Sequence, residues 1–152
     1  MRLYKVREEI EINAAVEQVY AVATDTALLP HYVPEITRVE VLQTLNDSQQ
    51  LVRSHIKVGP VSIAYLYRYR YIPARYYGGV QEKGKLFRGY FGLRFKPRGE
   101  HTLVIHTEAI MSPVPGMAAI AGFIYFRVLA RGATSKELNR LKELVERGAA
   151  IK

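Results

Sequence analysis

One long helical pattern near the C-terminus, preceded by a run of short alternating segments, constrains the fold of this chain most. Residues 116–148 contain no proline, and their apolar positions recur at the spacing of an α-helix. Residues 37–111 instead alternate apolar and polar positions between turn signals such as those at 46–48 and 59–60. Strands joined by short turns form antiparallel sheets, and the apolar face of a sheet has to be covered. Only the C-terminal helix is long enough to cover a sheet of this size.

The N-terminal part of the chain supplies one further strand and two short helices. Residues 4–12 alternate as a half-buried strand does, and Asn13 is a suitable cap for a helix over residues 14–25. The next segment carries Pro30 and Pro34, so any helix there is short. This order of elements predicts an α+β fold, in which a curved seven-stranded antiparallel sheet surrounds the long C-terminal helix.

Length and composition predict a single globular domain spanning residues 1–152. The chain has no cysteine, which excludes disulfides and thiolate chemistry and fits a reducing cytosol. The N-terminus lacks the apolar core of a signal peptide, and the longest uncharged stretch, residues 109–126, is interrupted by proline and glycine. We therefore expect a cytoplasmic protein, with peripheral attachment to a membrane as an open alternative.

Alternating tyrosines mark the longest predicted strand, residues 61–72. One face of that strand carries Tyr65, Tyr67, Tyr69 and Tyr71. If this face is directed at the helix, it lines a cavity with rings and hydroxyls that suit a quinone or polyketide. If it is directed outward, the rings can stack on nucleic-acid bases. Ordinary β-propensity of tyrosine is the third interpretation. The cavity interpretation is favoured.

Positive charge is concentrated in the middle of the chain. Residues 53–98 hold eleven Lys or Arg and only one acidic residue, Glu82, whereas residues 1–52 have a net charge of −4. If the aromatic faces turn inward, the outer face of the sheet carries Arg68, Arg70, Arg88 and Arg94. Such a face suits an anionic membrane surface or an acidic protein, and a basic, soluble surface without a partner is the alternative. Nucleic acid is the least favoured partner, because no nucleic-acid motif accompanies the arginines.

The histidines do not predict a metal centre or any other cofactor site. His31, His55, His101 and His106 form neither an HxxxH nor an HExxH spacing, and the last two would face opposite sides of a strand. His31 and His55 have the chemistry to polarise a ligand carbonyl, although an ordinary surface histidine is the favoured interpretation of each. Glu8 shares the apolar side of the first strand and is a candidate buried base, although solvation is favoured there. We predict no metal site, no cofactor and no catalytic residue.

Three segments together resemble one known superfamily. Residues 8–25 (EEIEINAAVEQVYAVATD) read as strand, small-residue turn and helix, residues 28–43 (LLPHYVPEITRVEVLQ) lead into the second strand, and residues 137–146 (ELNRLKELVE) lie in the long helix. The chain resembles the SRPBCC superfamily, also called START-like or Bet v 1-like. It is most similar to the polyketide cyclase/dehydrase and coenzyme Q-binding group. Residues 57–62 (KVGPVS) also resemble proteins of a carbon monoxide dehydrogenase subunit family.

The resemblance implies the helix-grip fold, with an apolar cavity between sheet and helix. Relatives use this cavity to hold lipids, quinones, polyketides or hormones, and no catalytic set is shared among them. The expected cavity-lining residues are Tyr65, Tyr67, Tyr69, Phe87, Phe91, Ile105, Phe123 and His55.

Three functions follow as hypotheses. The first is binding or carriage of an apolar molecule such as a lipid, quinone, isoprenoid or polyketide. The second is a polyketide aromatase/cyclase that orients its substrate with Tyr65, Tyr67, His55 or Arg53. The third is an interaction module whose basic sheet face docks on an acidic partner or a membrane.

The first half of the C-terminal helix is apolar nearly all round, so one sheet face cannot cover it. We expect residues 28–33 to cover residues 117–126 and to form with them a gate to the cavity. The expected gate residues are Leu28, His31, Tyr32 and Ile120. A homodimer that buries the same surface is the alternative to a monomer with this gate.

Overall fold

Seven antiparallel strands form one curved sheet in the computed structural model, which describes residues 2–83, 86–129 and 132–151. The strands are β1 (Arg2–Ile12), β2 (Ile36–Asn46), β3 (Gln49–Val58), β4 (Val61–Ile72), β5 (Tyr76–Gln81), β6 (Arg88–Arg98) and β7 (His101–Ser112). Their order across the sheet is β1-β7-β6-β5-β4-β3-β2. Strands β2 to β7 follow one another as neighbours, and the β1–β2 connection crosses from one edge of the sheet to the other.

Helical segments follow β1 and β7. They are α1 (Val16–Ala23), α2 (Leu29–Tyr32), α3 (Met117–Gly122), a π-helical segment (Phe123–Leu129) and α4 (Ala133–Ile151). The predicted α+β fold class, with its antiparallel sheet, two short helices and C-terminal helix, is confirmed. Among the described residues, no helix combines the length and apolarity needed to cross a membrane.

The C-terminal helical region is divided, whereas the sequence predicts one continuous helix over residues 116–148. Gly132 adopts a φ of +73°, a left-handed conformation that an α-helix does not continue through. The break separates the all-round apolar part from the amphipathic α4. The side chain of Phe126, which belongs to the apolar part, lies outside the described residues.

The predicted helix cap at Asn13 is wrong. Helix α1 begins at Val16, and its N-cap residue, Ala15, makes no side-chain capping hydrogen bond. The backbone N–H of Asn13 instead donates to Oε1 of Glu146 in α4, at 3.0 Å. The turn after β1 is therefore tied to the C-terminal helix.

Helix α4 covers the inner face of the sheet with a narrow apolar stripe. Leu138, Leu141 and Val145 recur at helical spacing and are fully or almost fully buried. They pack in one core with inward residues of the sheet, such as Val52 and Val104. Burying a side chain of this size contributes about 1.5–3 kcal/mol, so this stripe holds the helix against the sheet.

Candidate functional site

A cavity of about 500 Å3 lies between the inner face of the sheet and the C-terminal helical region. Strands β2 to β7 form one wall, and α2, α3, the π-helical segment and α4 form the other. Ligand pockets typically occupy about 300–1,000 Å3. The cavity is therefore large enough for a small organic molecule.

Aromatic rings of β4, β5 and β6 form the inner wall of the cavity. The ring of Tyr69 meets Phe91 at a centroid distance of 5.3 Å and Tyr77 at 5.5 Å, both edge-to-face. Tyr67 also lies against Phe91, at 6.1 Å. Gly79 lies beneath this cluster, and a Cβ atom there would lie 2.7 Å from Phe91 and 2.8 Å from Tyr69. The glycine thus allows the rings to pack close to the backbone of β5.

The hydroxyl groups in this wall are buried. Oη of Tyr69 lies 3.1 Å from Oγ of Ser54, and both residues are almost fully buried. Burial raises the pKa of Tyr67 and of Tyr69. Both phenols therefore stay protonated and can donate hydrogen bonds to a ligand.

Three ionisable side chains meet at the polar end of the cavity. His106 and Glu108 project inward from β7, and Glu137 projects from α4. Nε2 of His106 lies 3.4 Å from Oε1 of Glu108, and Nδ1 of His106 lies 3.4 Å from Oε2 of Glu137. His106 is 3% exposed, and 9% of the Glu137 side chain and 19% of the Glu108 side chain are exposed.

The environment of these three groups disfavours charge. Burial raises the pKa of Glu108 to about 7, and the nearby Glu35 carboxylate adds to this effect. Burial, followed by the charges of Glu108 and Glu35, raises the pKa of Glu137 well above its usual value. Burial lowers the pKa of His106 to about 4. A neutral imidazole beside carboxyl groups that hold protons near neutral pH can donate and accept protons.

The chain shares its sequence pattern with one family over nearly its whole length. It matches the family model described as polyketide cyclase / dehydrase and lipid transport over residues 4–146. It belongs to this family. A search of the curated proteins finds no match.

Solved structures share the family fold at low sequence identity. The Zhui aromatase/cyclase from a Streptomyces species superposes with a TM-score of 0.80 at 18% identity, covering 97% of this chain and 96% of that one. A Thermus thermophilus protein superposes with a TM-score of 0.76 at 22% identity, covering 96% of this chain and 99% of that one. A START superfamily protein from Mycobacterium smegmatis superposes with a TM-score of 0.68 at 22% identity, covering 94% of this chain and 97% of that one. The predicted membership of the START-like superfamily and its polyketide cyclase/dehydrase group is confirmed.

In this member of the polyketide cyclase / dehydrase family, five of the eight residues that were expected to line the cavity lie in its lining. They are Tyr65, Tyr67, Tyr69, Phe87 and Phe91. For the three tyrosines, which lie in β4, the alternation of the sequence predicted that they face the inner side of the sheet. Their role in binding a ligand stays a prediction.

His55 and Arg53 do not lie in the cavity, contrary to expectation. The inward residues of β3 include Ser54 and Val52, so the odd-numbered neighbours face the opposite side. Nε2 of His55 lies 2.7 Å from Oε1 of Glu40 on β2, and Arg53 lies 3.8 Å from the same carboxylate.

Ile105 and Phe123 also lie outside the cavity lining. Ile105 pairs with Arg94 across the sheet and alternates with the inward Val104 and His106, so it faces outward. Phe123 lies on the π-helical segment and is 56% exposed.

The two halves of the predicted gate pack mainly on different neighbours. Helix α2 packs chiefly on α4 and β2, whereas α3 packs on β1 and β7. Gly122 lies so close to the ring of Tyr4 that a Cβ atom there would be 2.2 Å from it. Residues 28–33 are therefore not a main packing partner of residues 117–126, although Leu29 and Ala121 both line the cavity, and the gate stays a prediction.

Only one of the four gate residues lines the cavity. Tyr32 is buried there, and its hydroxyl donates to the carbonyl of Ala23 at 2.5 Å. The other three, Leu28, His31 and Ile120, do not line it, and Ile120 is 60% exposed. The neighbouring Leu29 takes the place predicted for Leu28, because it is the inward residue of α2.

The predicted basic face lies on the outer side of the sheet. Arg68, Arg70 and Arg88 surround a shallow groove there, together with Glu82. Arg68 binds Glu82 at 2.6 Å, and Arg88 donates to the carbonyl of Gln81 at 3.0 Å. Arg94 is exposed on β6. Whether this face meets a partner stays a prediction.

The sequence did not predict the cluster of His106, Glu108 and Glu137. A signal was present, since His106 and Glu108 alternate with the outward Ile105 and Thr107, and Glu137 is spaced four residues before Leu141 on the apolar stripe of α4. Glu8, the carboxylate considered instead, is exposed on β1.

Proposed function

We propose that this chain binds an apolar, ring-containing small molecule in the cavity between the sheet and the C-terminal helical region. The observation that carries the proposal is the aromatic wall of a cavity of about 500 Å3. Aromatic rings provide large apolar contact areas and prefer edge-to-face or offset contacts with other rings. The family, described as polyketide cyclase / dehydrase and lipid transport, supports ligand binding or cyclisation as its role.

The arrangement of the lining also supports an orientation for the ligand. Rings would lie against Tyr69 and Phe91, while a carbonyl or hydroxyl group would point to the polar end at His106. The protonated phenols and carboxyl groups there can donate hydrogen bonds to such an oxygen. A quinone or a polyketide has this combination of rings and oxygens.

A paired measurement tests binding. A neutral probe with three aromatic rings, N-phenyl-1-naphthylamine, should fluoresce more strongly with the wild-type chain, and native mass spectrometry should show its uptake. Ala121→Trp fills the cavity that Ala121 lines and should abolish uptake. Ala119→Trp places the same side chain at an exposed position of α3 and should leave it unchanged. Equal uptake by both variants would contradict the proposal.

Catalysis of a cyclisation is the second candidate function. It is favoured by His106 and Glu137, whose side chains lie 3.4 Å apart in the cavity and are nearly buried. Of the residues considered from sequence, Tyr65 and Tyr67 line the cavity, whereas His55 and Arg53 face outward. An acid and a neutral base placed together can enolise a carbonyl and protonate an oxygen. One of the solved structures that share this fold is itself called an aromatase/cyclase.

Product analysis separates the two candidates. The chain is added to a polyketide synthase that releases an unreduced poly-β-ketone, and the cyclised products are quantified. A cyclase changes the product distribution, and Glu137→Gln should remove that change. Glu143→Gln, at an exposed position of the same helix, is the matched control. Probe uptake without any change of products identifies a binding protein.

A further inference from the structure

We propose that His106, Glu108 and Glu137 form a site for a divalent metal ion at the polar end of the cavity. Each residue offers one ligand atom, and these atoms all lie within 4.8 Å of one another. The two residues of β7 are spaced two apart, which directs both side chains to the same face of the strand. Glu137 comes to them from α4, on the other side of the cavity.

The charge of the surroundings favours a cation. Glu35 also lines the cavity, so three carboxyl groups face one space. Among the described residues that line the cavity, none is Lys or Arg. A buried carboxyl group is stabilised by a proton, by a paired cation or by a bound metal ion. A divalent ion neutralises two carboxylates at once.

A buried ring nitrogen of His106 without a hydrogen bond to the described residues is a second observation that supports a metal site. His106 is 3% exposed, and its Nδ1 makes no hydrogen bond with any described residue, although Oε2 of Glu137 lies 3.4 Å away. Buried polar atoms nearly always have a partner. The lone pair of a neutral imidazole nitrogen beside a carboxylate oxygen is an arrangement that metal coordination uses.

The donor set indicates the class of ion. One imidazole nitrogen and two carboxylate oxygens suit Zn2+, Mn2+, Fe2+ or Co2+. Ligand atoms about 2.0–2.1 Å from a tetrahedral zinc ion lie about 3.3 Å apart. The 3.4 Å separation of the His106 and Glu137 atoms is close to this value, and the ligand atom of Glu108 lies within 4.8 Å of the other two. All three residues line the cavity, so the oxygen of a small molecule bound there can complete the coordination of the ion.

Binding is tested on the full chain after dialysis against a chelator. Zn2+ is titrated by calorimetry, and Co2+ is followed by its visible absorption, which reports the coordination geometry. We expect one equivalent to bind. His106→Gln and Glu137→Gln should each weaken binding at least tenfold. His55→Gln is the control, because His55 also lies beside a carboxylate, Glu40, but on the outer face of the sheet.

The outcomes separate this inference from ligand binding. Loss of Zn2+ binding in His106→Gln and Glu137→Gln, with wild-type affinity in His55→Gln, supports the site. Unchanged affinity in the first two variants, or no binding of Zn2+ or Co2+ by the wild-type chain, overturns it. If His106→Gln does not fold, the site is tested instead in the wild-type chain, by the broadening of nuclear magnetic resonance signals that paramagnetic Mn2+ causes. Broadening centred on His106 supports the site, and broadening centred on His55 contradicts it. Uptake of the neutral probe is measured separately in the metal-free chain.

Discussion

Nδ1 of His106 lies 3.4 Å from Oε2 of Glu137, which joins the last strand of the sheet to the C-terminal helix inside the cavity. Both side chains are nearly buried, and Glu108 adds a second carboxyl group on the other side of the imidazole ring. This polar contact lies beside the aromatic wall formed by residues such as Tyr69 and Phe91. The cavity therefore has an apolar, aromatic side and a polar end with ionisable groups.

In the metal-free chain, Glu108→Gln should raise the melting temperature at pH 8. The pKa of Glu108 is raised to about 7 by burial, against about 4.3 in an unfolded chain. The folded chain therefore binds the proton more tightly, and the carboxyl group destabilises the fold increasingly as pH rises from about 4 to 7. Each 1 kcal/mol of stabilisation corresponds to about 2–4 °C in a chain of this size.

Glu143→Gln, which changes an exposed carboxylate, serves as the control for this experiment. Thermal melts with a chelator at pH 4 and pH 8 measure the difference. At pH 4 the Glu108→Gln gain should largely disappear, because the carboxyl group is protonated in the folded state and mostly protonated in the unfolded state. A lower melting temperature than the control at pH 8 would contradict the prediction.

Gly79→Ala should destabilise the aromatic wall. The new Cβ atom would lie 2.7 Å from Phe91 and 2.8 Å from Tyr69, in a cluster of packed rings. Forcing extra volume into a packed core typically costs about 1–3 kcal/mol. Chemical denaturation measures the free energy of unfolding. Gly148→Ala is a useful comparison, because no described atom outside the local helix backbone lies within 4 Å of the added Cβ and alanine favours helix by about 0.5–1 kcal/mol. Equal stability of Gly79→Ala and wild type would show that the wall is loosely packed.

The exposed apolar residues Ile120 and Phe123 separate the gate hypothesis from the homodimer hypothesis. They are 60% and 56% exposed and do not line the cavity, so Ile120→Glu and Phe123→Glu should fold and retain the equilibrium affinity for the probe. Size-exclusion chromatography and stopped-flow uptake are then compared with wild type. A change in uptake rate at constant size supports a gate, and dissociation into smaller species supports a dimer. Unfolding of both variants would contradict the exposed placement.

Replacing the arginines of the outer sheet face with serine tests the interaction hypothesis. Exposed charges are screened by salt, so binding to vesicles with anionic lipid should fall steeply as ionic strength rises. The quadruple variant of Arg68, Arg70, Arg88 and Arg94 should lose this binding and keep probe uptake, because these side chains lie outside the cavity. The four Arg→Lys changes keep the charge and should retain vesicle binding. Binding that does not depend on salt would indicate an apolar contact instead.

The fold follows from local patterns that the sequence displays directly. Alternation in β4 places Tyr67 and Tyr69 on the inner face and Arg68 on the outer face, because successive strand residues point to opposite sides. The break at Gly132 does not follow from the sequence, since a single glycine is compatible with a helical pattern until its φ is known.

The contacts at the polar end of the cavity could not be predicted from local sequence patterns, because they join residues that are distant in the sequence. Glu137 reaches His106 only through the packing of α4 on the sheet, and the spacing within each element indicates the face of a side chain but not this contact. The prediction that His55 lies in the cavity is wrong because Ser54 is the inward residue there, and a one-residue difference moves a strand side chain to the other face. Residue type therefore suggested the chemistry of this site, while strand register decided which side chains lie in it.

Nuclear magnetic resonance of the chain with N-phenyl-1-naphthylamine tests the central claim, ligand binding in the cavity, most directly. Intermolecular nuclear Overhauser effects between the probe and protein side chains locate it without any substitution. We predict contacts with the rings of Tyr69 and Phe91, which line the cavity, and none with His55 on the outer face. Contacts confined to the outer face of the sheet or to the exposed Phe123 would contradict the account.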